Sequence, residues 1–159
     1  MKGNRMKSGF KWGRFRDHKG QAVPDPASYV RKWLDGHPNG RVYVGCDSKV
    51  RGDNVKYSTA ICLWDIGKGV SEIYCNELEN RPPDRFTRLW SEVTRAVDTA
   101  DLLRELGPIT VHVDINSNPE YRSHQLYDAS MGLITSMGFR AAGKPYSWAA
   151  SCGAHKHCQ

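Results

Sequence analysis

The chain has 159 residues, of which 39% are hydrophobic and 25% are charged, as expected for one soluble globular domain. No apolar run approaches the roughly 20 residues that a membrane-spanning helix needs, and the basic N-terminus lacks the apolar segment of a secretory signal. We therefore expect a cytoplasmic protein with no membrane partner. The five cysteines include no C-x-x-C pair and are odd in number, which argues against a disulfide framework.

The net charge of +6 is concentrated at the N-terminus. Residues 1–20 hold seven Lys and Arg against one Asp, and the rest of the chain is neutral. We expect residues 1–22 to form a basic arm and residues 23–159 to form one domain. Basic arms commonly contact phosphate backbones, and interleaved aromatic residues can stack on unpaired bases. The alternative is a solubilising tail whose aromatic side chains pack on the domain. The candidate contact residues are Lys7, Lys11, Trp12, Arg14 and Arg16.

An antiparallel meander of three strands is predicted in the first half of the chain. Asp25 followed by Pro26 is typical of a helix N-terminus, and this helix is expected to end at Gly36. The strands that follow are rich in β-branched and aromatic residues, and short turns separate them. Gly45, in the first strand, allows backbone or ligand to approach closely. The expected strands cover about residues 41–46, 55–64 and 70–76.

Helices and parallel strands are predicted in the second half of the chain. Apolar residues at three- and four-residue spacing predict a long helix over about 85–106, and a β-branched run predicts a strand over about 109–114. Because a helix separates them, this strand is expected to lie parallel to the first one. A helix from Asn118 to Gly138, a short strand over about 139–142 and a last helix from Ser147 to about His157 complete the chain.

Two carboxylates mark the ends of predicted neighbouring strands. Asp47 follows the first strand, and Asp114 ends the fourth. Strand ends at one sheet edge bring such residues close together, and two adjacent carboxylates repel each other unless a cation relieves the repulsion. Hard Mg²⁺ or Mn²⁺ prefers oxygen ligands of this kind. Glu92, predicted to lie one turn into the long helix, is a third candidate ligand, although an exposed helix Glu is the alternative.

The C-terminal tail is a weaker candidate metal site. His155, His157 and Cys158 are residue types that bind zinc, but no second ligand pair stands at the spacing of a zinc finger. A polar helix end is the favoured interpretation of this segment.

Six short motifs, in their order along the chain, resemble the ribonuclease H-like YkuK family of bacterial and phage proteins. The resemblance covers about residues 25–157, and six motifs in register are much more specific than any one alone. It implies that residues 23–159 form a ribonuclease H-like α/β domain with a mixed five-stranded sheet, three antiparallel strands and then parallel strands, flanked by helices. The motifs are Gly45–Lys49, Arg88–Glu92, His112–Asn116, Met131–Phe139, Lys144–Pro145 and Ala149–Ser151.

The resemblance also implies a nuclease that hydrolyses phosphodiester bonds in RNA, an RNA–DNA hybrid or structured DNA. Two Mg²⁺ or Mn²⁺ ions about 3.5–4 Å apart would activate water and stabilise the leaving oxygen. Asp47 would bridge both ions, while Glu92 and Asp114 would complete their sites. Residues near these acids are expected to orient the carboxylates or contact the substrate, with turn capping or surface charge as the alternative. They are Ser48, Lys49, Asn116 and Lys144.

Two positions depart from the family pattern. Lys49 stands where the family has Gln, and His155 stands where the family has an acidic residue near the end of the domain. His155 therefore joins the candidate catalytic residues, because imidazole can ligate Mn²⁺, although it suits Mg²⁺ poorly, and can position water. The change favours an alternative function, a nucleic-acid-binding module with a degenerate, inactive or regulatory site. A protein-interaction domain that kept only the fold is a third hypothesis.

Overall fold

The computed structural model describes residues 14–144 and 146–158, without the side chains of residues 151–153 and 155. Within these residues the chain forms one mixed sheet in the order β2-β1-β5-β4-β3-β6-β7. The strands are β1 (Phe15–Asp17), β2 (Ala22–Val23), β3 (Arg41–Arg51), β4 (Asn54–Trp64), β5 (Val70–Asn80), β6 (Ile109–Asn116) and β7 (Arg140–Lys144). The α-helices are α1 (Pro26–Gly36), α2 (Arg85–Leu102), α3 (Tyr127–Ser136) and α4 (His155–Cys158).

The sheet confirms the predicted α/β class and its mixture of strand directions. Strands β3, β4 and β5 are antiparallel neighbours, while β6 lies parallel to β3 and β7 lies parallel to β6. The five predicted strands correspond to β3–β7. The structure adds β1, which pairs antiparallel with β5, and β2, which pairs with β1. The buried Phe15 side chain holds this hairpin against the core, so the segment predicted as a basic arm contributes to the sheet from residue 15 onward.

The helix termini follow the capping signals in the sequence. Asp25 accepts a hydrogen bond from the backbone N–H of Ser28 and begins α1, with Pro26 at the first helical position. Asp84 caps α2 in the same way through the N–H of Thr87. The predicted long helix ends as an α-helix at Leu102, and a 3₁₀ turn over Arg104–Leu106 continues it.

Three predicted element boundaries were wrong. Strands β3 and β5 run to Arg51 and Asn80, because the hairpins to β4 continue in register beyond the apolar residues. Asp47 therefore lies inside β3 rather than after it. The helix predicted from Asn118 begins only at Tyr127, after a 3₁₀ segment over Arg122–Leu126. Side-chain bonds within Asn116–Ser123 hold that stretch in turns and compete with helix formation.

Packing on the two faces of the sheet differs. On one face, α2 covers the main apolar core, to which β3 contributes Val42, Val44 and Cys46. On the other face, a π-helical segment over Ala149–Ala154 and helix α4 cover a smaller cluster with Tyr43 and Ala60. The predicted α-helix from Ser147 is thus a π-helical segment followed by a short α-helix. No helix within the described residues has the length and apolar character needed to cross a membrane.

Candidate active site

The three predicted acids surround one cleft on the sheet. Asp47 of β3, Glu92 of α2 and Asp114 of β6 line a concavity of about 300 Å³. Strand β3 is the common neighbour, because β6 pairs parallel with it and α2 packs across it. The cleft is also lined by a fourth acid, Glu120, and by basic and polar side chains, namely Arg85, Arg88, Asn116, Arg122, Ser123 and Lys144. The cleft combines carboxylates with cationic side chains, which suits a phosphate-containing ligand.

Glu92 is a buried acid, not the exposed helix residue of the alternative interpretation. Its side chain is 5% exposed, and Ser48 Oγ donates a hydrogen bond to its Oε1 at 2.5 Å. Burial holds the pKa of Glu92 well above its usual range, and the charges of Asp47 and Asp114 raise it further, while the Ser48 bond opposes the shift. A cation bound beside the three acids would offset the part of this shift that comes from Asp47 and Asp114.

Asp47 is oriented by its own strand and faces the C-terminal helix. Its Oδ1 accepts a hydrogen bond from the backbone N–H of Ser48 at 2.8 Å, and Cys158 Sγ lies 3.8 Å from its Oδ2. Burial, with Asp47 and Glu92 nearby, raises the pKa of the Cys158 thiol to about 11. The neutral thiol therefore adds no negative charge to the cleft. Sequence reasoning did not find this contact, since nothing in the spacing links residue 158 to residue 47.

Asp114 is held by a lysine from the neighbouring strand. Lys144 Nζ lies 2.8 Å from Asp114 Oδ1. Asn116, two residues further along β6, accepts a hydrogen bond from the backbone N–H of Asn118 and so caps the turn, while its backbone N–H donates to Ser123 Oγ. Both Lys144 and Asn116 thus line the cleft that holds the three carboxylates, as Ser48 does.

The carboxylates of the cleft are chemically suited to bind a hard divalent cation. Three carboxylates of a shared cleft supply the oxygen ligands that Mg²⁺ and Mn²⁺ prefer. Their side chains are not gathered into a coordination shell, because no group of three His, Cys, Asp or Glu among the described residues is placed to hold a metal ion. Lys144 and Ser48 engage Asp114 and Glu92 instead. A cation that takes Asp114 Oδ1 as a ligand would compete with Lys144 for that oxygen.

Other predicted residues lie outside this cleft or outside the described part of the structure. Lys49 is exposed on β3, two residues beyond Asp47, and does not line the cleft. His155 begins α4, but its side chain lies outside the described part, so its catalytic role stays a prediction. Arg14 and Arg16 are exposed beside and within β1. The remaining arm residues, Lys7, Lys11 and Trp12, lie outside the described residues.

Two histidines, His112 and His157, secure the C-terminal segment. His112 Nδ1 accepts a hydrogen bond from the backbone N–H of Ala149 at 3.0 Å, and burial lowers the His112 pKa to about 4. His112 is therefore neutral at physiological pH. His157 stacks on Tyr74 with ring centroids 3.8 Å apart and lies 2.9 Å from Glu72 Oε1. In the tail, the stack on Tyr74 and the contact with Glu72 account for the position of the His157 side chain.

Comparison with known proteins identifies the family. The model of the ribonuclease H-like family matches residues 28–159. The chain belongs to the ribonuclease H-like family, which confirms the resemblance of its motifs at that level and supports a nuclease-like module for nucleic acid. No curated protein matches the chain.

The chain is similar in fold to a ribonuclease H domain among the solved structures. That domain is the N-terminal ribonuclease H domain of rv2228c from Mycobacterium tuberculosis, studied as a fusion with maltose binding protein. The identity is 12% and the TM-score is 0.40, over 74% of this chain and 93% of that chain.

Proposed function

We propose that the protein is a metal-dependent nuclease that hydrolyses phosphodiester bonds in RNA, an RNA–DNA hybrid or structured DNA. The observation that carries the proposal is the cleft shared by Asp47, Glu92 and Asp114, in which Glu92 is buried beside two other acids. A buried carboxylate is costly without a partner, and its retention at a concave surface is typical of a functional site. Membership of the ribonuclease H-like family supports the same assignment.

The residues of the cleft have separate roles in this proposal. Asp47, Glu92 and Asp114 would hold Mg²⁺ or Mn²⁺. When bound, a pair of such ions supplies an activated water and stabilises the leaving oxygen. Ser48 fixes the Glu92 carboxylate, because its hydroxyl donates to Oε1. Arg88 and Lys144 line the same cleft and would attract the phosphodiester, with Lys144 transferring its contact from Asp114 to the substrate.

A nucleic-acid-binding module with an inactive or regulatory site is the second candidate function. The observation that favours it is the engagement of Asp114 by Lys144 at 2.8 Å, which supplies an internal cation where the nuclease needs a metal ion. Under this hypothesis the cleft binds nucleic acid without cutting it. The two functions differ in one measurable property, which is whether cleavage depends on both a divalent cation and Asp47.

The proposal is tested by measuring Mn²⁺ and Mg²⁺ binding by calorimetry, and cleavage of labelled RNA, hybrid and branched DNA. Wild type is compared with Asp47→Asn, which removes the charge and keeps the size. Asp35→Asn, an equal charge change at an exposed position of α1, is the control. We expect the cleavage rate of Asp47→Asn to fall by at least about 100-fold and its Mn²⁺ binding to weaken. Asp35→Asn should match wild type in both measurements. Equal cleavage by wild type and Asp47→Asn would overturn the proposal, and nucleic-acid binding without cleavage by either would support the second candidate.

A further inference from the structure

The cations of the antiparallel part of the sheet lie on one face. Because side chains alternate along a strand, the uninterrupted register of β3, β4 and β5 places residues of the same face in rows across the strands. The face that contains Asp47 also contains Lys49 and Arg51 of β3 and Lys56 of β4. Arg16 of β1 joins it, since Arg16 pairs with Tyr74 of β5. We call this surface, defined by Arg16, Lys49, Arg51 and Lys56, the basic face.

The opposite face has the reverse charge. Its positions on β3, β4 and β5 include no Lys or Arg, and β5 contributes two acids, Glu77 and Glu79. Arg95 of α2 neutralises both, with Nη1 3.0 Å from Glu77 and Nη2 2.6 Å from Glu79. On the basic face the same three strands also carry two acids, alongside the cations Lys49, Arg51 and Lys56. Asp47 belongs to the cleft, and Glu72 lies within 2.9 Å of Lys156 and His157. The positive charge of these strands is thus segregated onto the face that holds Asp47.

Half of this side of the sheet is open. The π-helical segment and α4 cover the end near Tyr43 and Ala60, and His157 stacks on Tyr74. Beyond that point the strand residues are accessible. Lys49 and Arg51 are exposed, as are Asn54 and Asn80 of the paired strands, and Leu78 lies among them with 65% of its surface exposed. An accessible leucine surrounded by cations and amides offers apolar contact next to phosphate-binding groups.

The basic face is continuous with the cleft. The row of Asp47 and Ser58 is itself buried, with Ser58 0% exposed, but the next row along the strands is accessible. In that row Lys49 of β3 pairs with Lys56 of β4, and Lys56 pairs with Leu78 of β5. Beyond β5, Arg14 and Arg16 line a second concavity of about 350 Å³ with Tyr74 and Asn76. Three strands at a spacing of about 4.8 Å give the row of Lys49, Lys56 and Leu78 a length of roughly 10 Å.

We propose that the basic face binds the single-stranded flank of a nucleic acid whose cleavage site lies in the cleft, an inference that rests on the proposed function. The cations match the phosphate backbone. The exposed amides of Asn54 and Asn80 suit the edges of unpaired bases, and Leu78 offers contact to a base face. The accessible row of roughly 10 Å accommodates about three phosphates at the rise of about 3.4 Å per nucleotide found in a duplex strand. The flank would thus cross β4 and β5 toward Arg14.

The test measures binding of the full-length protein in EDTA, so that it does not depend on cleavage. The probes are fluorescein-labelled oligothymidylate of about 20 nucleotides, longer than an ordinary single-strand site, and a blunt duplex of the same length. The variant Arg16→Gln/Lys56→Gln removes two charges from the basic face. Arg31→Gln/Lys32→Gln removes two exposed charges from α1, whose Val30 packs into the core cluster on the other side of the sheet.

We expect the variant of the basic face to bind oligothymidylate about tenfold more weakly at about 0.1 M salt, and the slope of log K against log[salt] to fall by about 1.4. The α1 variant should stay within about twofold of wild type. Equal affinity and slope in wild type and the basic-face variant would overturn the inference. An equal loss of duplex binding would overturn the assignment to a single strand. If the basic face binds as expected but Asp47→Asn leaves cleavage unchanged, the proposed function fails while the inference about binding stands.

Discussion

The hydroxyl of Ser48 and the carboxylate of Glu92 are joined by a hydrogen bond of 2.5 Å that links β3 to α2 inside the candidate active site. Ser48 is the residue after Asp47, and its backbone N–H also donates to the Asp47 carboxylate. One residue thus fixes two acids from different elements. The bond lowers the Glu92 pKa, but burial and the neighbouring acids raise it by more, so that Glu92 resists ionisation.

We predict that Glu92→Gln stabilises the metal-free protein at alkaline pH. The folded-state pKa of Glu92 lies above its unfolded value of about 4.3, so the native state holds the proton more tightly than the unfolded chain does. This contribution to stability is present at low pH and is lost as the pH rises from about 4.3 through the folded-state pKa. The neutral Gln avoids that loss and should increase the free energy of unfolding by about 1–3 kcal/mol at pH 8.

Urea unfolding of wild type and Glu92→Gln between about pH 4 and pH 8 measures this difference. The control is Glu105→Gln, at an exposed position after α2, which should change the free energy of unfolding little at any pH. The prediction would be contradicted if the difference in the free energy of unfolding between wild type and Glu92→Gln became smaller as the pH rises.

We predict that Lys144→Gln tightens Mn²⁺ binding in the absence of nucleic acid. Lys144 occupies Asp114 Oδ1 at 2.8 Å and so competes with a metal ion for that carboxylate. Without the ammonium group, the three acids repel each other more strongly and attract a cation more strongly. Calorimetric titration should show a several-fold lower Kd for Mn²⁺ in the variant, at an unchanged number of sites.

Lys68→Gln is the matched control for this measurement, because Lys68 pairs with Asp65 in a surface turn. It should leave Mn²⁺ binding at the wild-type value. Weaker binding in Lys144→Gln would show that Lys144 supports the metal site instead of competing with it.

We predict that Gly45→Ala displaces the C-terminal segment from the sheet. A Cβ atom at residue 45 would lie 2.5 Å from the backbone nitrogen of Ala150 and 2.6 Å from the carbonyl carbon of Ala149. Backbone atoms cannot move aside as a flexible side chain can, so the strain should cost about 1–3 kcal/mol in the free energy of unfolding. Hydrogen exchange should also become faster over residues 149–158, the segment in which Cys158 contacts the Asp47 carboxylate.

Gly132→Ala provides the comparison, since residue 132 lies within α3 and a Cβ atom added there would meet nothing within 4 Å. Because alanine favours a helix, this variant should be as stable as wild type or more so. If Gly45→Ala were equally stable and kept slow exchange over residues 149–158, the tight packing of the C-terminal segment on β3 would be refuted.

The sequence was sufficient to predict the sheet order around the acids. A meander followed by a long helix and a β-branched strand places Asp47 and Asp114 on parallel neighbours, and this is observed. Gly45 was expected to permit a close approach, and the backbone of Ala149 and Ala150 fills that space. These features depend on local pattern and chain connectivity, both of which are visible in a single sequence.

The remaining features depend on side chains that are distant in sequence. The polar ends of β3 and β5 lack an apolar signal, and only pairing with β4 makes them strands. The burial of Glu92 is set by its contacts with the sheet, which helical periodicity does not reveal. The same is true of the stack between Tyr74 and His157, which joins β5 to α4. Tertiary packing, rather than local propensity, decides each of these cases.

The parallel pairing of Val42 with Ile109 brings together parts of the chain that are far apart, with the whole meander and α2 between them. Closing so long a loop is entropically costly, whereas the β3–β4 and β4–β5 hairpins form from adjacent segments. The hairpins should therefore form early in folding, and the docking of β6 should follow. Because Asp114 lies on β6, the three acids come close together only in that late step. Most of the electrostatic repulsion between them is therefore absent from the partly folded chain.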